Sequence, residues 1–247
     1  MKSISIAMPA YNEAENISEM VQDVVNVVQA LTTDFEIIVV DDGSQDNTAS
    51  VVQALQKTIP QLRLVQHEVN RGYGTAVFNG LKSATKETIF FTDSDRQFDL
   101  TELEKLIAQL NTAELVVGYR APRRDPLMRR LNGKGWSLLV TLLFGYTARD
   151  IDCAFKLMHW DVVEYLRDEV TSGGATFSAE FLVRAKRAGF KIEEVPILGH
   201  RPRVAGSPTG AKLSVILRAF RELVQFRLVL NQEPPARKTA VSDATAQ

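Results

Sequence analysis

An α/β domain with a mostly parallel sheet flanked by helices is predicted from three observations. Apolar runs of strand length alternate with helical periodicity over the first 120 residues. The links between them are short. The central runs EIIVV and TIFF are apolar at every position, as strands covered on both faces must be. Strand and helix alternating through short links implies right-handed crossovers, and therefore parallel pairing.

SISIAMP opens the chain as a strand, and EAENISEMVQDVVNVVQAL follows with Ile17, Met20, Val21, Val24, Val28 and Leu31 at helical spacing. FEIIVVDD is a buried strand, and DNTASVVQALQKT a helix with polar capping residues at its start. LRLVQH, TAVFNGLKSA and TIFFTD read as strand, helix and strand. LTELEKLIAQL is a helix with Leu103, Leu106, Ile107 and Leu110 inward, and AELVVGY is a further strand. After Arg120 the rhythm breaks. RAPRRDPLMRRLNGKGW is a basic loop turning helical, and DIDCAFKLMHWDVVEYL is a strand or turn leading into a helix. TFSAEFLVRAKRAGF is helical, KIEEVPILG a strand, HRPRVAGSPTG a loop, and AKLSVILRAFRELVQFRLVL a long helix. From Glu233 the chain is aperiodic and rich in Pro, Ala, Thr and Ser, the composition of a disordered tail.

The 247 residues suffice for one large domain, and 45% apolar with 24% charged residues is ordinary for a soluble protein. A net charge of −1 gives no global pull towards nucleic acid or anionic lipid. The single cysteine, Cys153, excludes an intrachain disulfide and a zinc-type cysteine cluster, and fits a reducing cytoplasm. MKSISIAMPAYNE enters a strand at once with no signal-peptide core. The longest apolar candidate, Trp136 to Phe144, is about half a bilayer span.

Chemistry in an open parallel sheet gathers outside the carboxyl ends of the strands. Three strands end there in polar residues: PAYNE, Asp41-Asp42-Gly43-Ser44 and Asp93-Ser94-Asp95, with NRGYGTA as a fourth loop. Crowded carboxylates repel unless a cation or donors offset them, and hard oxygen ligands in D-x-D spacing suit Mg²⁺ or Mn²⁺ shared with phosphates. Asp95 or Asp99 equally suits the cap of the helix that follows, and DDGS with DNT is good turn chemistry. NRGYG lacks both the Walker lysine pattern and G-x-G-x-x-G.

With PAYNE, DDGSQDNT, NRGYGTA and DSD in this order, the chain resembles glycosyltransferase family 2. Within it, the polyprenyl-phosphate (dolichol-phosphate type) mannosyl- and glucosyltransferases are most similar. The likeness runs from Ser3 to about Leu230. It implies a single GT-A domain, Rossmann-like, over residues 1–232. Residues 1–120 form its nucleotide-sugar half, 121–232 its acceptor half with amphipathic helices, and 233–247 the tail. It also implies a nucleotide-diphosphate sugar of GDP-mannose or UDP-glucose type, Mg²⁺ or Mn²⁺, and inversion at the anomeric carbon. On that resemblance Pro9, Tyr11 and Glu13 hold the nucleoside, Asp42 reads base or ribose, and Gly72 and Asp93 complete the nucleotide set. Asp93, Asp95 and Gln97 surround the metal, and Asp95, Asp150 and Asp152 form the catalytic set. RDIDCAFKL departs from the family's D-x-x-x-G-F-R-like segment by Ala154 and the extra acid Asp152, so either Asp150 or Asp152 is the acceptor-side acid. Tyr73 stands where many relatives carry lysine, and Arg201, Arg203 and Ser207 match a loop that grips phosphate.

A lipid monophosphate needs neutralising rather than deprotonating, whereas a sugar hydroxyl requires a base. Arg120, Arg123, Arg124, Arg129, Arg130 and Lys134 fall within fifteen residues and suit a phosphate acceptor. They precede the apolar WSLLVTLLFG, a membrane-surface signature, although such a run also serves as a solvated face. In the last helix Leu213, Ile216, Leu217, Phe220, Leu223, Val224 and Leu228 share one face, as for a core helix, a lipid contact or a homodimer. The chain stops without the transmembrane helices that relatives often carry. A cytoplasmic protein, peripheral on the inner face of a membrane or served by a separate membrane partner, is therefore expected. A family member acting on a hydroxyl of a soluble or polysaccharide acceptor, and a non-catalytic nucleotide-binding scaffold, are the other readings. Glu180 falls where relatives line the sugar or acceptor pocket, and His200 reads as structural.

Overall fold

The computed structural model describes residues 2–121, 127–201 and 213–233, with backbone alone for 127–129 and 213–217. The expected architecture is present: one seven-stranded sheet between two helical layers. In chain order the elements are β1 (Ile4–Ala10), α1 (Ile17–Gln29), β2 (Phe35–Asp41), α2 (Thr48–Leu55), β3 (Leu62–Gln66), α3 (Tyr73–Lys82) and β4 (Thr88–Thr92). A 3₁₀ turn (Leu100–Glu102) leads into α4 (Leu103–Gln109), followed by β5 (Leu115–Arg120) and α5 (Leu127–Phe144). The remainder is β6 (Phe155–His159), α6 (Trp160–Leu166), α7 (Phe177–Arg187), β7 (Ile192–Ile197) and α8 (Leu213–Gln232).

The continuous apolar strands behave as their composition demands. Ile6, Met8, Ile37, Val39 and Phe90 point to the layer of α1, α2 and α4. Ala7, Ile38, Val40, Ile89 and Phe91 point to the layer of α3 and α5 to α8. Alternate residues thus serve two separate cores, which is why no polar alternation is visible in the sequence.

The strand order is β3-β2-β1-β4-β6-β5-β7, and every pairing is parallel except those of β6, which runs against both β4 and β5. The two halves on either side of residue 120 are interleaved. β6, from the second half of the chain, hydrogen-bonds β4 and separates it from β5, so the halves share one sheet. The boundary of the tail moves as well. Glu233 lies beside the end of α8, where its carboxylate takes both terminal nitrogens of Arg184 at 2.9 Å. Residues 234–247 lie outside the described residues.

Candidate functional site

One reversed strand decides where the site lies. Parallel strands deliver their carboxyl ends to one rim, which here carries the residues after β1, β2, β4, β5 and β7. β6 delivers its beginning to the same rim. Thr92, at the end of β4, pairs with Phe155, and Val117 of β5 pairs with Lys156. The turn 150–154 therefore sits beside Asp93-Ser94-Asp95 and Arg120.

On the donor side, the DDGSQDNT segment ties down PAYNE. Asn12 N donates to Ser44 Oγ (2.9 Å), Glu13 N to Thr48 Oγ1 (2.9 Å), and Ala14 N to Asp46 Oδ2 (3.1 Å). Glu13 itself is buried and accepts from Asn16 Nδ2 at 2.7 Å. Ser94 Oγ crosses to the Pro9 carbonyl at 2.7 Å, fastening the D-x-D turn to the end of β1. Tyr11 stays partly exposed on the rim. Arg96 takes a left-handed φ of 57°, uncommon for a residue with a side chain, and Asp23 Oδ2 (3.0 Å) and Glu19 on α1 hold its guanidinium. Beneath it Asp95 is buried and accepts from Gln97 N at 3.2 Å. Asp93 is half-buried, and burial together with the Asp95 charge pushes its carboxyl up to about 7. Of the two capping candidates, Asp99 caps the 3₁₀ turn, accepting from Thr101 N at 3.1 Å.

Asp42 is engaged differently from its expected role. The carboxylate assigned to base or ribose is occupied within the protein in this structure. Oδ1 meets His67 Nδ1 at 2.7 Å and accepts from Arg71 N at 2.8 Å, while Oδ2 accepts from Gly72 N at 3.0 Å. Asn79 Nδ2 fixes the other ring nitrogen of His67 at 2.9 Å. Two N–H groups of the NRGYG loop, those of Arg71 and Gly72, thus point to a fixed carboxylate. Gly72 has φ +96°, and a Cβ there would come within 2.7 Å of the Gly173 carbonyl oxygen. Gly72→Ala is therefore expected to cost at least about 1–2 kcal/mol, read as a lowered denaturation midpoint. The loop leads into Tyr73, whose hydroxyl donates to Asp93 Oδ1 at 2.9 Å. Burial and the neighbouring carboxylates raise this phenol well above its ordinary value.

On the opposite side, the two acceptor-side acids part company. Asp150 is locked by Arg120: Nε to Oδ2 at 2.7 Å, Nη2 to Oδ1 at 2.7 Å, and the Arg120 backbone N to Oδ2 at 3.2 Å. Their side chains are only 8% and 9% exposed. Arg120, expected on phosphate, spends its fork on Asp150, because β5 and the turn before β6 lie side by side. Asp152 is exposed on the rim. Lys156 was missed from sequence, where it read as part of a strand. It is buried, and its Nζ donates to the carbonyls of Ile151 (3.1 Å) and Cys153 (2.5 Å), folding the turn that carries both acids. Burial lowers its ammonium and raises the Cys153 thiol to about 12, so that thiol stays protonated. A lone lysine inside AFKLM was the available signal.

Several further candidates prove to be braces. Gln97 Nε2 donates to the Arg201 carbonyl at 3.0 Å, and Arg201 N to the Gln97 carbonyl at 2.7 Å, which pins the segment after β7 to the rim. Arg201 is exposed and His200 is buried with its ring against Phe98. Glu180 is tied down within the protein. It is buried and accepts from Thr171 N (3.2 Å), Ser172 N (2.8 Å) and Arg184 Nε (2.9 Å). Arg130 is exposed on α5, while Arg123, Arg124, Arg203 and Ser207 lie outside the described residues.

Two adjacent carboxylates, one of them destabilised by the other, form a hard-oxygen donor set. Among the described residues no group of three or more His, Cys, Asp or Glu side chains could hold an ion alone. Carboxylate oxygens of this kind are ligands that hard divalent cations prefer.

Comparison with known proteins agrees with this geometry. The model of "Glycosyl transferase family 2" matches residues 5–165. The chain is 32% identical over 202 residues to glycosyltransferase AglD of Haloferax volcanii, covering 78% of this chain and 32% of that protein. It is 31% identical over 211 residues to dolichyl-phosphate beta-glucosyltransferase ALG5C of Trichomonas vaginalis, covering 78% of this chain and 62% of the other. It thus spans less than two thirds of either relative. Glucosyl-3-phosphoglycerate synthase from Mycobacterium tuberculosis, solved with Mn²⁺ and UDP-glucose, superposes with a TM-score of 0.69 over 91% of this chain and 78% of that one. At 20% identity, that superposition shows a common fold and nothing more. The family model and the rim of acids together show that the chain belongs to glycosyl transferase family 2.

Proposed function

We propose that the protein is an inverting, metal-dependent hexosyltransferase that moves a sugar from a nucleotide diphosphate to a polyprenyl phosphate. The observation that carries this reading is the meeting of Asp93 and Asp95, after β4, with Asp152, before β6, at one place on the rim. Asp93 and Asp95 would hold Mg²⁺ or Mn²⁺, which when bound neutralises charge on the departing diphosphate. Ser94, through Pro9, and Arg96, through α1, keep those acids in place. The rim loop of Tyr11 and Glu13 offers a wall for the nucleoside. Inversion requires the acceptor phosphate to attack the anomeric carbon from the face opposite the departing diphosphate, and acids reaching the rim from two different strands suit that approach. The name of the Trichomonas relative supports a lipid-phosphate acceptor, and the Mn²⁺ and UDP-glucose in the mycobacterial structure support the donor and cation.

Two features favour a phosphate acceptor. Asp150 is neutralised by Arg120, and a phosphate nucleophile needs no base. In addition, α5 exposes Leu131, Leu138 and Leu142, and α8 exposes Phe220, Val224 and Leu228. Their exposed charges are basic: Arg130, Lys134, Arg218 and Arg221. Such faces suit the surface of an anionic bilayer. No helix among the described residues is long and apolar enough to cross a membrane.

Incubation with UDP-glucose or GDP-mannose, Mn²⁺ and a polyprenyl phosphate, with and without anionic vesicles, should yield a glycosylated lipid phosphate, faster with vesicles. Asp152→Asn should leave turnover within roughly tenfold. A loss beyond about 100-fold would instead make Asp152 a general base and a hydroxyl the acceptor. Transfer to no acceptor, with no metal-linked nucleotide binding, would return the chain to the scaffold reading.

A further inference from the structure

Tyr73 is a residue that the donor-side reading leaves unexplained, although the structure holds it with care. Gly72 turns the chain through a left-handed φ and packs against the Gly173 carbonyl. Asp42 fixes the two preceding N–H groups, and His67 and Asn79 fix Asp42. Thr75 N adds a bond to the Gly173 carbonyl at 3.1 Å. The first turn of α3 is thereby anchored on two sides, and its phenol is delivered to Asp93 Oδ1 at 2.9 Å. The residue as a whole is 42% exposed although its hydroxyl end is enclosed beside Asp93, so burial of an apolar surface is not what keeps it there.

We propose that Tyr73 is a positioning residue for the cation clamp: its hydroxyl holds Asp93 by one oxygen and leaves the other for the metal on the donor diphosphate. An ionised carboxylate has lone pairs enough for both partners. Hydrogen bonds to a ligating carboxylate orient it, and losing one costs typically 10–100-fold in metal affinity. The same chain of bonds gives Asp42 a purpose in this structure, since it seats the loop from which Tyr73 reaches across. This inference rests on the proposed cation and nucleotide-sugar site.

Calorimetric titration of UDP and of GDP into wild type and Tyr73→Phe, each with Mn²⁺ and with EDTA, separates the two. Wild type should bind one nucleotide more tightly with Mn²⁺. Tyr73→Phe should weaken only that metal-linked part, by about tenfold, with EDTA-state affinity and the metal-free thermal midpoint close to wild type. In turnover, the Mn²⁺ concentration for half-maximal rate should rise by a similar factor. If wild type shows the Mn²⁺ gain and Tyr73→Phe keeps it within twofold, the role of Tyr73 is overturned and the site stands. If wild type shows no Mn²⁺ gain with either nucleotide, both fall. Should Tyr73→Phe lose affinity equally in EDTA, the tyrosine is a structural or nucleotide contact, and the inference also fails.

Discussion

Asp93→Asn is expected to reduce turnover by at least about 100-fold while making the metal-free protein more heat-stable. The two effects share one cause. Burial and Asp95 raise the folded-state pKa of Asp93 to about 7, above the ordinary aspartate value of 3.8. A group whose folded pKa lies above its unfolded one favours the native state when protonated. Its contribution is full below the unfolded value and is lost as pH rises from about 4 through 7. Metal-free wild type should therefore show a falling midpoint across that window, and Mn²⁺ should restore it most at the alkaline end, where Asp93 is ionised. Asp93→Asn removes the ionisation, so its midpoint should be flatter with pH, higher than wild type near pH 8, and insensitive to Mn²⁺. Differential scanning fluorimetry from pH 5 to 8, with EDTA or Mn²⁺, reads all of this. A wild-type midpoint that rises with pH over that range would refute the crowding of Asp93 and Asp95.

Arg120→Met should be the most damaging single change to stability among the site residues. It removes the two guanidinium hydrogen bonds and leaves the Asp150 carboxylate buried with the backbone N–H of residue 120 still donating to it. Breaking a buried pair from one side costs roughly 3–5 kcal/mol, on the order of 10 °C in midpoint for a chain of this size. Arg120→Met with Asp150→Leu should recover much of that, because the penalty belongs to the stranded charge rather than to the missing attraction. Activity should fall in the single variant and return only partly in the double, since the turn 150–154 beside Asp93 and Asp95 loses its tie to β5 in both. A single variant as stable as wild type in urea would show that the pair is not held as described.

Much of this was legible from residues alone. Apolar runs of strand length and the 3.6-residue spacing of helix faces mark the elements because both faces of the sheet are buried, and DSD stands out because like charges at the end of an apolar run need an explanation. Strand direction leaves no such trace: FKLMH reads the same whichever way it runs. The meeting of Asp152 with Asp93 could not be found without the sheet. The partners of Asp42 and Arg120 were hidden for a related reason. Those partners lie 25–30 residues away, and a carboxylate satisfied by the protein's own N–H groups has the same spelling as one waiting for a ligand. Glu180 misled in the same way, its partners being two backbone amides and an arginine one helical turn on.

The direction of β6 has one more consequence. Asp93 and Asp95, proposed for the donor side, follow a strand, whereas Asp150 and Asp152, proposed for the acceptor side, precede the neighbouring one, so the two sets are far apart along the chain yet adjoin in space. Insertions or exchanges in 145–153 can lengthen or reshape the acceptor side without shifting the register of β4. On the proposed function, selection can therefore retarget the protein to a new recipient molecule by rewriting one loop, while the machinery for releasing the sugar is inherited intact.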